Sequence, residues 1–189
     1  MDERQKYEAI WQHDEYRQIS PAEVVFAEMN RQLPGSGVLI DFGCGTGRAT
    51  QMFQETGRFQ VVGVDIAYNA LDTALQGRFP FVVSAIEKLP RGLLHADFGV
   101  CVDVLEHLPR GELDKALNRI ASMIDGVSFI RVANFPESHG DKLVGEPLHL
   151  SLMGSDEWYD ALRFRFSKVM RIWLDEDESP ERYTFICHS

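Results

Sequence analysis

Short apolar runs alternate along this chain with segments of helical periodicity. Five runs have the character of strands, and they cover residues 38–42, 60–65, 81–86, 97–102 and 128–132. Apolar residues recur at helical spacing after Ser20-Pro21 and again over 113–124. We expect one helix that is capped by Ser20 and ends at Pro34-Gly35, and a second that ends at Gly126. Because strands that alternate with helices form parallel sheets covered on both faces, this pattern predicts an α/β, doubly wound, Rossmann-like fold.

Two further runs near the carboxyl terminus extend the predicted sheet. Residues 169–174 and 183–187 are apolar, and the segment 175–180 between them is acidic and contains a proline. This arrangement predicts a C-terminal antiparallel hairpin, which brings the mostly parallel sheet to seven strands. We interpret the acidic segment as a solvated turn, and we predict no metal site. A chain of 189 residues is expected to form a single domain over 1–189.

The first apolar run ends in a carboxylate and a glycine-rich turn. Asp41 is followed by Gly43, Gly45 and Gly47, and a helical pattern starts at Arg48. Such a turn between a strand and a helix lets a nucleotide lie directly against the backbone. The spacing departs from the dinucleotide fingerprint G-x-G-x-x-G, because the third glycine comes one residue early. Asp41 would repel a pyrophosphate and suit an ammonium or sulfonium group; the alternative is that it is only a partner of the helix N-terminus.

Two later motifs complete an ordered series. Asp65 ends the second run about twenty residues past the first glycine, where a carboxylate can accept both hydroxyls of a ribose. The stretch Val-Leu-Glu-His-Leu at 104–108 follows the fourth run. With the Asp41 turn, these motifs resemble the class I S-adenosylmethionine-dependent methyltransferases over roughly residues 36–133. The Leu-Glu-His form is most similar to their small-molecule and ubiquinone-pathway branch. The resemblance implies the class I methyltransferase fold and S-adenosylmethionine as cofactor.

The motifs and the resemblance together predict the cofactor contacts. The glycine backbone would meet the methionine and ribose parts, and the end of the fourth strand would lie near the methionine carbons and ammonium. Ser84 stands where many relatives have a carboxylate for the adenine amino group, so we expect packing and backbone contacts to hold adenine. The predicted cofactor-binding residues are Trp11, Arg17, Asp41, Gly43, Cys44, Gly45, Gly47, Asp65, Ile66, Ala85, Ile86, Val102 and Asp103.

The first nineteen residues precede the fold proper and contain several aromatic side chains. In similar enzymes such a segment closes over the cofactor, so the resemblance implies a lid over residues 1–19. Trp11 and Tyr16 would cover the sulfonium, and the forked guanidinium of Arg17 would pair with the methionine carboxylate. The alternative is an amphipathic helix that packs its aromatic residues on the sheet.

We expect the methyl acceptor to bind at residues 134–160, the long connection after the fifth strand, because such connections are often functional. His149 is the candidate catalytic base, with His139 and His107 next, unless it is only a core or surface histidine. We interpret the pair Glu106-His107 as structural. The signatures of amino-group, cytosine-carbon and metal-assisted catechol methylation are missing from the sequence. Elimination therefore favours methyl transfer to oxygen.

Composition and charge limit the classes of partner that we expect. A net charge of −10 argues against nucleic acid, since phosphate binding needs clustered cations. No apolar run reaches membrane-spanning length, and three scattered cysteines indicate reduced thiols and a cytoplasmic location. We therefore predict a methyltransferase enzyme acting on a small molecule. A protein or glycan methyltransferase and a non-catalytic methyltransferase-fold partner subunit are the alternatives, whereas Asp41 and Arg48 disfavour a nicotinamide oxidoreductase. The oligomeric state is left open.

Overall fold

The computed structural model describes residues 2–90, 92, 95–137, 139–174 and 181–189. Its strands are β1 (Gly37–Phe42), β2 (Phe59–Asp65), β3 (Phe81–Val83), β4 (Ala96–Val102), β5 (Ile124–Ala133), β6 (Lys168–Ile172) and β7 (Arg182–His188). Within those residues they form one seven-stranded sheet in the order β3-β2-β1-β4-β5-β7-β6. β7 runs antiparallel to β5 and β6, and the other six strands share one direction. The predicted fold class is confirmed; the acidic segment 175–180 lies outside the described residues.

The described helices range from 4 to 14 residues in length. They are α1 (Glu3–Ile10), α2 (Asp14–Arg17), α3 (Pro21–Val24), α4 (Phe26–Gln32), α5 (Arg48–Glu55), α6 (Arg110–Met123), α7 (Gly140–Val144) and α8 (Ser155–Arg163). Single turns of 3₁₀ helix cover Thr73–Leu75, Ile86–Lys88 and Leu105–His107. No helix in the described part of the chain is long and apolar enough to cross a membrane.

Two apolar layers cover the faces of the sheet. α6 and α8 bury Leu117 and Trp158 in one layer, and α4 and α5 bury Met29 and Phe53 in the other. All four side chains are fully buried. The apolar stripe of α6 repeats at helical spacing, which is why this helix can lie flat on the strands. The covered faces hold the strands rigidly, so functional groups at their ends start from fixed positions.

Three local predictions were wrong. The single helix expected after Ser20 is two helices, because Val25 leaves helical geometry (φ −96°, ψ 11°) between α3 and α4. Neighbouring β-branched residues at 24 and 25 favour such a break, and Val25 is fully buried at it. The Ser20 side chain makes no capping hydrogen bond. Gly126 does not end α6 either, since it already lies inside β5.

The strand order creates a crevice at one edge of the sheet. β1 lies between β2 and β4, so the connections leave it in opposite directions. In open α/β sheets ligands bind at such a switch point, outside the carboxyl ends of the strands. Asp41 is paired with Gly63 of β2 and with Val100 of β4, so three strands end close together there.

Candidate functional site

A cavity of about 560 Å³ lies at the switch point. Gly43, Asp65 and Ser84 line it from the ends of the first three strands, and Asp103 and His107 line it after β4. The N-terminal helices supply the remaining wall. We call residues 41–47 with Asp65 the glycine-loop side, and residues 103–108 with 148–151 the histidine side.

The glycine loop is held by backbone contacts that leave no room for side chains. The N–H groups of Gly43 and Cys44 both donate to the carbonyl of Val64, at 2.7 and 2.9 Å. Gly43, Gly45 and Gly47 have φ of 73°, 53° and 79°, the left-handed region that favours glycine. A Cβ on Gly43 would lie 2.4 Å from the side chain of Val104. Gly43 lines the cavity, whereas Cys44, Gly45 and Gly47 pack behind it.

Asp65 joins the glycine loop to the end of β2. Its two carboxylate oxygens accept hydrogen bonds from the N–H groups of Gly45 and Ala67, both at 2.9 Å. Burial raises the pKa of Asp65 to about 6, although these backbone donors oppose the rise. Each carboxylate oxygen has a second lone pair, so the side chain can still accept hydrogen bonds from a ligand in the cavity.

Asp41 lies behind the cavity wall. It is 4 % exposed, and its carboxylate accepts a hydrogen bond of 2.6 Å from the hydroxyl of Thr50 in α5. Burial raises the pKa of Asp41 to about 7, and the nearby carboxylate of Asp65 adds to the rise. This placement favours the alternative in which Asp41 is a partner of the N-terminal end of α5 over a direct contact with a ligand.

The residues that the sequence predicted to contact adenine lie at the cavity. Ser84, Ala85, Ile86 and Ile66 all line the cavity. The Ser84 hydroxyl donates to the carbonyl of Ala85 at 2.9 Å, so its oxygen still has lone pairs free. Val102 is buried in the sheet and does not line the cavity.

Aromatic side chains from α1 and α2 close the cavity on the outer side. Tyr7, Trp11 and Tyr16 line it, and the rings of Trp11 and Tyr16 meet edge to face at 5.0 Å. A Cβ on Gly45 would lie 3.1 Å from the Trp11 ring, so the indole rests directly on the glycine loop. Within the described residues, the buried indole N–H of Trp11 and the buried hydroxyl of Tyr7 have no hydrogen-bond partner.

Arg17 is not at the cavity. Its guanidinium donates to the carbonyls of Trp11, Asn69 and Ala70 and to the carboxylate of Asp72, at 2.7–3.1 Å. These acceptors bind the guanidinium N–H groups that were expected to donate to a methionine carboxylate. Arg17 therefore ties the N-terminal segment to the connection after β2.

Asp103 begins the histidine side in a strained backbone conformation. Its φ is 52°, which is rare for a residue with a Cβ. Its carboxylate lies 3.1 Å from the guanidinium of Arg131 and 3.7 Å from that of Arg182. Arg131 is only 3 % exposed. The sequence analysis missed it, although an arginine inside the apolar run 128–132 was a visible signal.

Glu106 and His107 follow in the 3₁₀ turn. Glu106 is fully buried, and its Oε1 accepts from the N–H of Ala133 at 2.9 Å. Burial raises its pKa well above the usual range, and the carboxylate of Asp103 adds to the rise. Burial, together with the neighbouring His149, lowers the pKa of His107 to about 3. His107 is therefore uncharged at neutral pH.

His149, the predicted base, lies behind His107. The two rings meet edge to face at 4.6 Å, and Tyr7 contacts His107 from the other side at 5.8 Å. His107 lines the cavity, whereas His149 and His139 do not. Tyr7 and His107 are thus among the cavity residues that the sequence analysis did not place there.

Comparison with known proteins supports the geometric reading. A family model described as a methyltransferase domain matches residues 39–125, which span β1 through the first residues of β5. A search of curated proteins found no match. The family match covers less than half of the chain, and with the fold it agrees with the resemblance to class I S-adenosylmethionine-dependent methyltransferases.

Several solved structures share this fold. One is Burkholderia thailandensis 1,6-didemethyltoxoflavin-N1-methyltransferase, with 1,6-didemethyltoxoflavin and S-adenosylhomocysteine bound; it has a TM-score of 0.71 at 20 % identity and covers 100 % of this chain and 91 % of its own. A methyltransferase from Archaeoglobus fulgidus has a TM-score of 0.69 at 18 % identity, covering 93 % and 97 %. An O-methyltransferase family protein from B. thailandensis has a TM-score of 0.70 at 15 % identity, covering 94 % and 61 %. At these identities the likeness concerns the fold.

Proposed function

We propose that this chain is an S-adenosylmethionine-dependent methyltransferase that transfers a methyl group to an oxygen atom of a small molecule. The observation that carries the proposal is the cavity of about 560 Å³ between the glycine loop and the N-terminal aromatic residues. Its size is that of small-molecule sites, and the methyltransferase-domain match includes the glycine loop and Asp65. The Burkholderia N1-methyltransferase binds a cofactor product together with a small acceptor, which supports this pairing of ligands.

The residues around the cavity suit this cofactor. Asp65 would accept from the ribose hydroxyls, and Ala85 and Ile86 would pack on the adenine. The buried donors of Trp11 and Tyr7 have no partner within the described residues, and a polar ligand would satisfy them. Acidic groups at the cavity favour a positively charged sulfonium. When bound, S-adenosylmethionine supplies a methyl group activated by its positively charged sulfur.

The chain's own contribution is alignment and exclusion of water. Methyl transfer is an in-line displacement, so holding donor and acceptor in one geometry gives most of the rate enhancement. Tyr7, Trp11 and Tyr16 would exclude water from above. We retain His149 as the candidate base, but it would act only through or beside His107, which is the histidine at the cavity.

Two segments have proposed roles in ligand exchange. Residues 1–19 would act as a lid, with the Arg17 contacts to residues 69–72 as its latch. The connection 134–160 would form the acceptor side, because its residues 148–151 bind the turn that carries His107. Methylation of a protein or glycan, and a non-catalytic partner role, have no feature of the cavity in their favour.

Titration calorimetry tests the cofactor assignment. The protein should bind S-adenosylmethionine and S-adenosylhomocysteine, and NAD should give no comparable signal. Asp65→Ala should weaken binding by about 1–3 kcal/mol, because ribose hydroxyls would lose their acceptor. The matched control is Asp97→Ala. Asp97 also accepts from a backbone N–H, that of Val38 at 2.8 Å, but it lies outside the cavity lining.

These outcomes separate the readings. Asp97→Ala should leave affinity unchanged while Asp65→Ala lowers it. Tight NAD binding without S-adenosylmethionine binding would remove the proposed function. Equal affinity in both variants would instead remove only Asp65 from the cofactor site. Product formation with hydroxyl-bearing small molecules, followed by mass spectrometry, then tests the acceptor atom.

A further inference from the structure

Three potential metal ligands converge beside the cavity. One donor atom from each of Glu106, His107 and His149 lies within 4.8 Å of the other two. Residues 106 and 107 lie in the turn after β4, and residue 149 comes from the long connection after β5. The set combines two imidazoles with one carboxylate, which is a frequent ligand set for zinc and related divalent ions.

In each histidine Nδ1 lies against a backbone carbonyl. Nδ1 of His107 lies 3.2 Å from the carbonyl of Leu148, and Nδ1 of His149 contacts the carbonyl of Phe135. A carbonyl can only accept, so in each ring Nδ1 carries the proton and donates it. A neutral ring with a protonated Nδ1 keeps its lone pair on Nε2. Metal-binding histidines in proteins are held by hydrogen bonds of this kind from the other ring nitrogen.

The carboxylate is also held and incompletely satisfied. Oε1 of Glu106 accepts from the N–H of Ala133 at 2.9 Å. Oε2 is buried and has no hydrogen-bond partner within the described residues. The Glu106 side chain is fully buried. A buried carboxylate oxygen without a partner is unfavourable, and a bound cation would satisfy it.

The backbone keeps the two contributing segments together. The carbonyl of Glu106 accepts from the N–H groups of Leu150 and Ser151, both at 2.8 Å. The hydroxyl of Ser151 donates to the carbonyl of Leu108 at 2.6 Å. The ligands from positions 106, 107 and 149 are therefore fixed relative to one another by contacts that do not involve their side chains.

We propose that Glu106, His107 and His149 form a binding site for one divalent transition-metal ion of the zinc type. The ion would join the turn after β4 to the connection after β5, and His107 would place it at the wall of the cavity. Ion binding can be measured with no cofactor or acceptor present, so its test is separate from that of the proposed function. A bound ion would, however, occupy the lone pair that His149 would need as a base.

Untagged protein, freed of metal by a chelator, provides the test. Zn²⁺ should bind with one equivalent per chain in titration calorimetry and should raise the unfolding temperature. Co²⁺ should give visible absorption bands without the near-ultraviolet band of thiolate ligation, which excludes binding at the cysteines. His149→Gln and His107→Gln should each weaken Zn²⁺ binding by at least about tenfold.

Two histidines outside the cluster supply matched controls. His95→Gln and His139→Gln should keep the wild-type stoichiometry and affinity for Zn²⁺, because neither residue belongs to the cluster. No stoichiometric Zn²⁺ binding by the wild-type protein overturns the proposal. So does an unchanged affinity in a folded His149→Gln protein, which would mean an adventitious ion only. If the glutamine variants do not fold, the Co²⁺ spectrum of the wild type decides, and thiolate bands overturn the proposal.

Discussion

The two sides of the cavity are built in different ways. On the glycine-loop side, Gly43 and Cys44 donate to Val64, and Asp65 accepts from Gly45, so nearly every contact involves the backbone. The farthest of these partners is about twenty residues away in sequence. The shape of this side is set mainly by hydrogen bonds between the backbone of the glycine loop and the end of β2.

The histidine side depends on side chains that are distant in sequence. Glu106 binds the backbone 27 residues away at Ala133, and His107 binds 41 residues away at Leu148. Arg131 holds Asp103 across the sheet. Because few of these contacts are local, loss of one side chain should disturb this side far more than the glycine-loop side.

Arg131→Met offers the strongest way to break this comparison. The substitution keeps an apolar side chain of similar length but removes the cation nearest to Asp103, 3.1 Å away. Removal of one partner from a buried ion pair lowers the free energy of unfolding by about 3–5 kcal/mol when the remaining charge has no other partner. Because Arg182 still lies 3.7 Å from the Asp103 carboxylate, we expect the lower end of that range, a fall of about 3 kcal/mol in urea unfolding.

An exposed ion pair gives the matched control. Arg163 pairs with Asp160 at 2.7 Å, with side chains 51 % and 58 % exposed. Arg163→Met should change the free energy of unfolding by less than about 1 kcal/mol, since exposed pairs contribute little. If Arg131→Met loses no more stability than this control, the histidine side does not rest on its buried side chains.

Asp41→Asn tests the glycine-loop side. It should raise the free energy of unfolding, whereas Arg131→Met lowers it. Burial raises the pKa of Asp41 to about 7, above its ordinary value of 3.8. The folded state therefore holds this proton more tightly than the unfolded state does. The resulting stability is fully present below pH about 4 and is lost as the pH rises to about 7.

Asparagine cannot ionise, yet its oxygen can still accept from Thr50. The free energy of unfolding of Asp41→Asn should therefore equal that of the wild type near pH 4 and exceed it by roughly 2–4 kcal/mol at pH 8. Urea unfolding at pH 4, 6 and 8 measures the difference. A stability offset that is the same at all three pH values would show that ionisation of Asp41 does not limit this side.

The fold was predictable because its signals are local. Each of the seven strands coincides with an apolar run, and β7 was expected to be antiparallel from the short acidic link before it. The prediction failed where tertiary packing decides, as at Val25, whose burial accompanies a break in the expected helix. Helix boundaries depend on such packing and are not encoded by periodicity alone.

The site residues likewise divide into those predicted from local sequence and those placed by tertiary contacts. The glycine turn and Asp65 could be predicted because strand, turn and carboxylate follow one another in the chain. The role of Arg17 could not, since its partners Asn69 and Ala70 lie 52 and 53 residues away. The convergence of His107 with His149 likewise depends on the connection after β5 folding back onto the turn after β4. No spacing in the sequence expresses that contact.

The smallest expected effect concerns the seam between the two sides, where Gly43 faces Val104. A Cβ on Gly43 would lie 2.4 Å from this valine, whereas Gly57, with a similar φ of 70°, has nothing within 4 Å. Both alanine variants bear the strain of a left-handed conformation, about 1–2 kcal/mol. Gly43→Ala should be less stable than Gly57→Ala by a further 1–2 kcal/mol or so, because only the Cβ at position 43 crowds a neighbour.

Adding Val104→Ala should remove this extra loss of stability from Gly43→Ala and should not restore stability to Gly57→Ala. Urea unfolding of the single and double variants measures the coupling. Equal losses of stability in the two glycine variants would mean that close packing of Gly43 against Val104 does not limit stability.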